Sequence, residues 1–344
     1  MESADSSNLL LRFVLAGCLN RDTVLPISGA PQIDVLGGNL AYAATGLRVW
    51  GGTGGLVARV GQEFPPDWIE RLAEFEFDVS GIVRIPEKID QRRFLAHSDS
   101  LTTHEINPVQ HFADRMLPYP PHLLGYRADF PRISSRTEPS AQAIAISDVP
   151  KAYLDASAIH ICPIDYLSHL MLISLFRQGL TTTLSLSPDA GYMSSSFWEE
   201  IPGLIAEVTI FITPEREVRN LFQGRQTDLW TMAGVLAGYG PDVVVVQTVN
   251  QGYFLLDRLN GRRWVVPEYQ THVVDPTGKA DAFAGAFLVG YRSHYDPLEA
   301  ALMGSIAASL VVEGSGVFYA LDAMPGLIDA RLTALRDLVR EVKA

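Results

Sequence analysis

The chain has few cysteines, fewer basic than acidic residues and no long apolar run. Each of these features excludes some kinds of protein. Its 344 residues include only two cysteines, Cys18 and Cys162, which are too few for a disulfide framework and typical of the reducing cytoplasm. Acidic residues outnumber basic ones by 39 to 27, for a formal net charge of −12, which disfavours binding to nucleic acid or anionic membranes. No run reaches the ~18 apolar residues that span a bilayer. We therefore expect cytoplasmic localisation and neither a nucleic-acid nor a membrane partner.

The amino terminus contains a pattern that resembles a lipoprotein cleavage box, Leu-Ala-Gly-Cys at residues 15–18. A signal peptide begins with positive charge, whereas Glu2 and Asp5 are acidic and Arg12 interrupts the apolar stretch. We therefore interpret residues 9–16 as the first β-strand rather than as part of a leader.

From residue 157 onward, strand-like and helix-like segments alternate. The four consecutive valines at 243–246 are typical of a strand that is buried on both faces. Repeated units of this length predict a parallel sheet covered by helices on both sides, with ligands bound beyond the carboxyl ends of the strands. The predicted strands are 158–161, 181–186, 208–212 and 243–246, and the predicted helices are 165–178, 194–205, 229–239, 297–312 and 327–342.

Two polar, weakly alternating segments interrupt this pattern, and we assign them to a small β lid. They span residues 20–36 and 82–112, inside a single domain of residues 1–344. The second segment contains histidines whose spacing suits no compact metal site, so we interpret them as surface residues: His97, His104 and His111.

A proline-rich stretch at 113–140 is interpreted as a surface insertion or a functional loop. It contains three arginines, which either lie on a solvated surface or meet a phosphate, and we favour the solvated surface: Arg127, Arg132 and Arg136.

The strongest motif lies at residues 272–291, where a short β-branched run meets a turn and then an apolar segment. Pro276 fixes φ, Gly278 permits a tight turn, and the following segment suits a helix buried on all sides. The first N–H groups of such a helix lack internal partners and attract anions. Asp281 stands beside them, where a carboxylate suits proton abstraction during phosphoryl transfer. The alternative is that Asp281 only complements the helix dipole.

A Walker A phosphate loop is excluded, because Val273 and Ala280 stand where its first glycine and its hydroxyl residue belong. The stretch instead resembles the D-[TP]-x-G-A-G-D-x-F signature of the PfkB/ribokinase-like carbohydrate kinases. The matching positions are Asp275, Thr277, Gly278, Asp281 and Phe283. The resemblance implies an α/β fold: a ribokinase-like three-layer sandwich with a mostly parallel central sheet, helices on both faces and a small β lid.

The resemblance also implies roles for residues within the motif. Asp281 would be the catalytic base, the amides of Gly278, Lys279 and Ala280 would form the anion hole, and Thr277 and Gly278 would contact the nucleotide. Two positions depart from the signature. Lys279 brings an ammonium group that would stabilise the transition state if it points inward. Ala280 brings a Cβ that would crowd the phosphate or strain the turn.

On the acceptor side, Gly37, Gly38 and Asn39 precede a helix rich in small residues and resemble the family's G-G-x-x-x-N/A element. The resemblance implies that these three residues face the sugar, and that Asp22, shortly after the first strand, holds sugar hydroxyls. From the residues alone, the preferred interpretation is that Asn39 is a helix N-cap after a glycine turn and that Asp22 is a turn former.

On the nucleotide side, the family has Asn-x-x-Glu after one strand and Gly-x-x-Gly after the next. Pro214 and Val249 replace the Asn and the first Gly, whereas Glu217 and Gly252 remain. The resemblance implies Mg²⁺ held through water near Glu217 and a nucleotide contact at Gly252. It further implies a monovalent cation, such as K⁺, at Asp275.

The leading hypothesis is an ATP- and Mg²⁺-dependent kinase that phosphorylates a hydroxyl of a sugar, a nucleoside or a similar small molecule. The second is a pseudokinase of the same fold that binds a ligand or regulates, motivated by Ala280, Pro214 and Val249. Retention of Asp281 favours the enzyme, because a general base contributes roughly 10²–10⁴-fold to rate. A dinucleotide-binding oxidoreductase is a poor fit, since no G-x-G-x-x-G follows an early strand. The lid's edge strands favour a homodimer.

Overall fold

The computed structural model describes residues 12–128 and 133–343, and within these ranges ten strands form one large sheet. They are β1 (Phe13–Ala16), β4 (Gly54–Val60), β5 (Asp78–Arg84), β8 (Ala158–Ile161), β9 (Thr183–Leu186), β10 (Ile210–Pro214), β11 (Val243–Gln247), β12 (Tyr253–Asp257), β13 (Arg262–Val266) and β14 (Arg340–Glu341). The order is β14-β13-β12-β11-β10-β9-β8-β1-β4-β5. Pairs from β11 to β5 are parallel, and β12, β13 and β14 extend the sheet antiparallel.

Helices follow most of the parallel strands. They are α1 (Asn39–Val49), α2 (Pro66–Glu74), α3 (Pro108–Asp114), α4 (Tyr166–Arg177), α5 (Ile201–Ile205), α6 (Glu215–Leu221), α7 (Leu229–Gly238), α8 (Lys279–His294), α9 (Pro297–Val311) and α10 (Pro325–Arg336). Among the described residues, no helix has the length and apolar character needed to cross a membrane.

The large sheet is buried on both faces because alternate side chains enter two separate cores. In β11, Val243 and Val245 pack into the core that contains α1, α8 and α9, whereas Val244 and Val246 pack into the core that contains α4 and α7. A run of four valines is therefore stable only between two helix layers. This arrangement is the three-layer sandwich that the sequence predicts.

Helices α1 and α8 pack with almost no space between their backbones. A Cβ on Gly46 would overlap the carbonyl of Ala282, and a Cβ on Gly285 would overlap the carbonyl of Ala43. The small residues of both helices make this contact possible, and it fixes the start of α8 against α1.

A second sheet draws strands from both segments that we assigned to the lid. It contains β2 (Asn20–Leu25), β3 (Gln32–Gly37), β6 (Arg92–His97) and β7 (Thr103–His104), in the order β3-β2-β6-β7. Residues 82–84 lie instead in β5 of the large sheet. One face of the second sheet is covered by the chain's own α3 and neighbouring turn, through a cluster of Leu25, Phe94, Ala96, Phe112 and Leu123. The homodimer stays a prediction. Because α3 and the turn cover a face of the small sheet and not its edge strands, another chain could pair with those edges.

Two predicted helices differ from the structure. The helix predicted at 194–205 is a short 3-10 turn, Ser195–Phe197, followed by α5, which begins with Pro202 in its first turn. Proline is favoured at a helix start because its missing N–H is not needed there. The helix predicted at 327–342 ends at Arg336, because the next residues turn back and β14 pairs with β13.

Candidate active site

The turn before α8 is held in place by three separate parts of the chain. The Asp275 carboxylate accepts a hydrogen bond from the Thr277 amide at 3.0 Å. The amides of Val274 and Asp275 donate to the Val312 carbonyl at the end of α9, at 2.8 and 3.1 Å. The Ile27 amide, from the loop between β2 and β3, donates to the Val274 carbonyl at 2.9 Å. The turn is therefore a fixed element and not a free loop.

Gly278 lies in this turn at a position that no other residue type can occupy without strain. Its φ is 77°, in the left-handed region, and a Cβ would overlap the ring of Tyr42 from α1. Both the backbone conformation and the lack of space require glycine. The turn thus brings the first amides of α8 against α1.

No side chain caps the N-terminus of α8. The Lys279 amide donates to the Pro276 carbonyl at 3.3 Å, whereas helix geometry leaves the amides of Ala280 and Asp281 without an intrahelical partner. Ala280 is exposed and has an ordinary helical backbone, so its methyl group does not strain the turn. The N-terminus of α8 can therefore bind an anion through two free amides. The side-chain amide of Gln247, from β11, donates to the Ala280 carbonyl at 3.3 Å.

Asp281 lies in the first turn of α8, and its surroundings raise its pKa to about 6. Burial is the main cause, the positive charge of Arg93 opposes it, and the negative charge of Asp22 adds to it. A carboxylate with this pKa is ionised at pH 7 yet basic enough to accept a proton from an alcohol. These properties are the ones that a general base requires.

The predicted acceptor residues meet on the same side of this turn. Asp22 is buried on β2, and a Cβ on Gly37 would overlap its carboxylate. Gly38 has φ of 97°, and a Cβ there would overlap the Cys18 carbonyl. Asn39 accepts from the Cys18 amide at 2.8 Å and donates to the Pro163 carbonyl at 2.7 Å, so it joins the carboxyl ends of β1 and β8.

A cavity of about 530 Å³ opens beyond these strand ends. Its walls include Asn39 and Cys18, the Arg93–Glu105 pair from the small sheet, and residues of the 113–140 insertion. In that insertion Arg127 lines the cavity, whereas Arg136 pairs with Glu200 on the exterior. Arg132 lies outside the described residues. The insertion therefore forms one wall of the acceptor side as well as an exposed surface.

A second cavity, of about 440 Å³, lies on the other side of the turn. It is lined by Lys279 and Gly252, together with residues of the small sheet's 98–102 hairpin loop. Gly252 has φ of 78°, and a Cβ would overlap the Val266 carbonyl, so glycine is required here also. The Lys279 ammonium group points into this cavity's wall, where it pairs with Glu268 at 2.7 Å.

His97 is buried against the turn, so its prediction as a surface residue is wrong. Its Nε2 is 2.8 Å from the Thr277 hydroxyl and 3.5 Å from the Asp275 carboxylate. Burial lowers the pKa of His97, although Asp275 opposes this effect. His97 thus connects the small sheet to the motif. His104 and His111 are partly exposed and stack on each other with ring centroids 4.8 Å apart.

Two carboxylates offer buried oxygens that could face a cation. Glu217 is buried at the start of α6; Arg216 donates to its Oε1 at 2.8 Å, and its Oε2 has no hydrogen-bond partner among the described residues. In the turn before α8, Asp275 Oδ2 is also buried and has no hydrogen-bond partner among the described residues. No cluster of three or more His, Cys, Asp or Glu residues suited to a metal ion occurs within residues 12–128 and 133–343.

Sequence reasoning missed several residues of this region, namely Tyr42, Gln247, Glu105 and Glu268. Arg93 on β6 was likewise given no role from the sequence. A usable signal existed for β6, because side chains two apart in a strand share a face. Assigning that strand correctly would have placed Arg93, Leu95 and His97 together on the side of the motif.

Comparison with known proteins finds sequence similarity to kinases. Residues 163–324 match the model of the pfkB family carbohydrate kinases. A cytidine kinase of Thermococcus kodakarensis is 28% identical over 290 residues, which cover 84% of this chain and 91% of that protein.

Solved structures show the same fold at low identity. A fructokinase double mutant of Vibrio cholerae, with fructose, ADP and a potassium ion bound, has a TM-score of 0.69 at 15% identity, covering 94% of this chain and 98% of that one. A nucleoside kinase of Burkholderia thailandensis, in complex with ADP-inosine, has a TM-score of 0.67 at 14% identity, covering 94% and 95%. The predicted fold is confirmed, and so is the resemblance to the PfkB/ribokinase-like carbohydrate kinases, whose family model matches residues 163–324.

Proposed function

We propose that this kinase transfers the γ-phosphoryl group of ATP to a hydroxyl of a nucleoside. One observation carries the proposal: Asp281, with a pKa raised to about 6, lies in the first turn of a helix whose uncapped start offers free amides to an anion. Lys279, the first residue of that helix, lines one cavity, and Asn39, the first residue of α1, lines the other.

The size of the acceptor cavity favours a nucleoside over a free sugar. A volume of about 530 Å³ lies within the range of cavities that hold drug-sized ligands, and a monosaccharide would leave much of it filled with water. The chain's similarity to a cytidine kinase over most of its length points the same way. The ribose would lie near Asp22, and the base would extend towards the wall formed by the insertion.

The residues act in the following way in this proposal. Asp22, Gly37, Gly38 and Asn39 hold the acceptor, and Asp281 takes the proton from the attacking hydroxyl. The amides at the start of α8 stabilise the charge that develops on the transferred group. Gly252 lines the donor cavity, and Thr277 would contact the nucleotide from the turn before α8. The pseudokinase alternative gains no support from Ala280, because the turn keeps its shape with alanine there.

Two cations fit the residues present. Glu217 Oε2 and Asp275 Oδ2 are buried carboxylate oxygens without partners in the described structure, and a buried charge is stable only when it is compensated. Glu217 would hold Mg²⁺ through water, and Asp275 would hold a monovalent cation such as K⁺. Mg²⁺ neutralises charge on the donor's phosphates when it is bound.

The test is ATP consumption with Mg²⁺ and K⁺ against cytidine, other nucleosides, ribose and fructose, with Asp281→Asn measured in parallel. Turnover by the wild type on a nucleoside, lost in the variant, supports the proposal. Turnover on a free sugar alone would overturn the nucleoside assignment and keep the kinase. If no acceptor is used and ATP does not raise the melting temperature, the proposed function is wrong.

A further inference from the structure

Arg93 occupies a position that the family motif does not include. It lies on β6 beside Asp22 of β2, since the two residues are register partners in the parallel pair. Its Nη2 donates to Glu105 at 2.9 Å, and both side chains line the acceptor cavity. An arginine is thereby fixed at the wall of the acceptor cavity, on the strand next to the buried carboxylate of Asp22.

One nitrogen of the Arg93 guanidinium, Nε, is both buried and without a hydrogen-bond partner among the residues that the structure describes. A buried donor without a partner costs free energy, so such a group is stable when a ligand supplies the missing acceptor atom. The cavity that Arg93 lines is where an acceptor molecule would supply it.

We propose that Arg93 is a positioning residue of the acceptor site, whose Nε–H donates a hydrogen bond to a hydroxyl or ring oxygen of the acceptor while Glu105 anchors the other end of the guanidinium. Its fixed positive charge also keeps Asp281 ionised at neutral pH. The inference rests on the proposed kinase function and adds a residue to it.

Two charged groups and two neutral titratable groups from other elements interact with Asp281. Asp22 lies on β2 and Arg93 on β6, and the side chains of Tyr42 on α1 and Cys162 after β8 also interact with it electrostatically. Arg93 is the positive charge that acts on the Asp281 carboxyl, and it lowers the pKa that burial raises. Burial lowers the pKa of Arg93 itself, but Glu105, Asp22 and Asp281 together raise it above its usual value, so it stays charged.

Two variants separate the charge of Arg93 from its hydrogen bond. Arg93→Gln removes both: we expect KM for the acceptor to rise roughly tenfold or more, the loss typical of a hydrogen bond to a charged group. The acid limb of kcat/KM should also move up by about 1 pH unit, because Asp281 loses a nearby positive charge. Arg93→Lys keeps a charge without the Nε–H, so KM should rise while the limb stays.

Glu105→Gln should move the acid limb the other way, to lower pH, because Arg93 loses the carboxylate that offsets its charge and then acts more strongly on Asp281. Lys88→Gln removes a positive charge from an exposed pair with Glu63 and serves as the control. A purely structural role for Arg93 would lower the melting temperature of both Arg93 variants and leave the limb where it is.

A second readout does not depend on turnover. The pKa of Asp281 can be followed by ¹³C NMR of labelled aspartate carboxyls, assigned with Asp281→Asn, in the wild type, Arg93→Gln and Glu105→Gln. Shifts of opposite sign in the two variants support the proposal even if the acceptor panel fails. An Asp281 titration in Arg93→Gln that matches the wild type would overturn the proposal. So would a cytidine affinity in Arg93→Gln that calorimetry finds equal to that of a wild type that binds cytidine. Either result would leave the kinase assignment intact.

Discussion

The two sides of the Gly278 turn differ in how closely their residues match the family's pattern. On the acceptor side, Gly37 packs against the Asp22 carboxylate and Gly38 against the Cys18 carbonyl, so even a methyl group is excluded. On the nucleotide side, Val249 is half exposed and Lys279 is held by an ion pair with Glu268. The proposed acceptor side therefore keeps the family's residues. The proposed donor side keeps Gly252, which also excludes a Cβ, but it has a larger side chain at Val249, where the family has glycine, and at Lys279, where the family has a small residue.

This difference indicates which part of the reaction tolerates change. Proton removal and acceptor alignment depend on positions fixed to within fractions of an ångström. Recognition of a nucleotide's phosphates depends on summed charge and can be rebuilt with a new cation such as Lys279. We therefore expect mutations on the acceptor side to have larger effects than mutations on the donor side.

The largest effect is expected from Asp281→Asn. Loss of the base should lower kcat by roughly 10²–10⁴-fold, while acceptor binding stays nearly unchanged because Asn has the same shape. Steady-state kinetics and calorimetry with the same acceptor measure the two quantities. If kcat stays within a few-fold of the wild type, Asp281 is not the base. The residues of the acceptor side would then only bind the acceptor.

The raised pKa of Asp281 gives a second prediction, in which activity and stability oppose each other. Between pH 4 and 6 the folded protein binds a proton at Asp281 more tightly than the unfolded chain does. The free energy of unfolding should therefore fall as pH rises through this window, by roughly 1–3 kcal/mol after allowance for partial exposure. Over the same window kcat/KM should rise, since only the ionised carboxyl accepts a proton.

Asp281→Asn is the matched control for this prediction. It should remove the contribution of this group to the pH dependence and make the protein more stable than the wild type at pH 7, as measured by chemical denaturation. Equal stability at pH 7, with an unchanged slope between pH 4 and 6, would show that burial does not strain this carboxyl.

Much of this arrangement could be predicted from the sequence. The features that could not be predicted have one physical cause in common. Residues in contiguous motifs, such as Asp275, Gly278 and Asp281, are placed by local turn and helix chemistry. His97 was misassigned because its burial depends on how the small sheet packs against residue 277, 180 positions away. The Lys279–Glu268 pair similarly depends on contacts between a helix start and a loop, which periodicity does not report.

A smaller effect, confined to the donor side, is expected from Lys279→Met. Loss of the ammonium group should raise KM for ATP by roughly 3- to 10-fold with little change in KM for the acceptor, in keeping with a partly exposed charge. Glu268→Gln is the paired variant: it releases Lys279 towards the phosphates and should lower KM for ATP. If both variants leave KM for ATP unchanged, the lysine is a structural partner of Glu268 and does not replace the lost glycines of the donor side.

The smallest effect is expected from Ala280→Gly, which restores the family's residue. Ala280 is exposed and helical, so removing its methyl group relieves no strain in the turn, and kcat should change less than twofold. The substitution should instead lower the free energy of unfolding by about 0.5–1 kcal/mol, because glycine is less favourable than alanine in a helix. A several-fold rise in kcat would mean that the methyl group crowds the transferred phosphoryl, and that the donor side loses rate at this position.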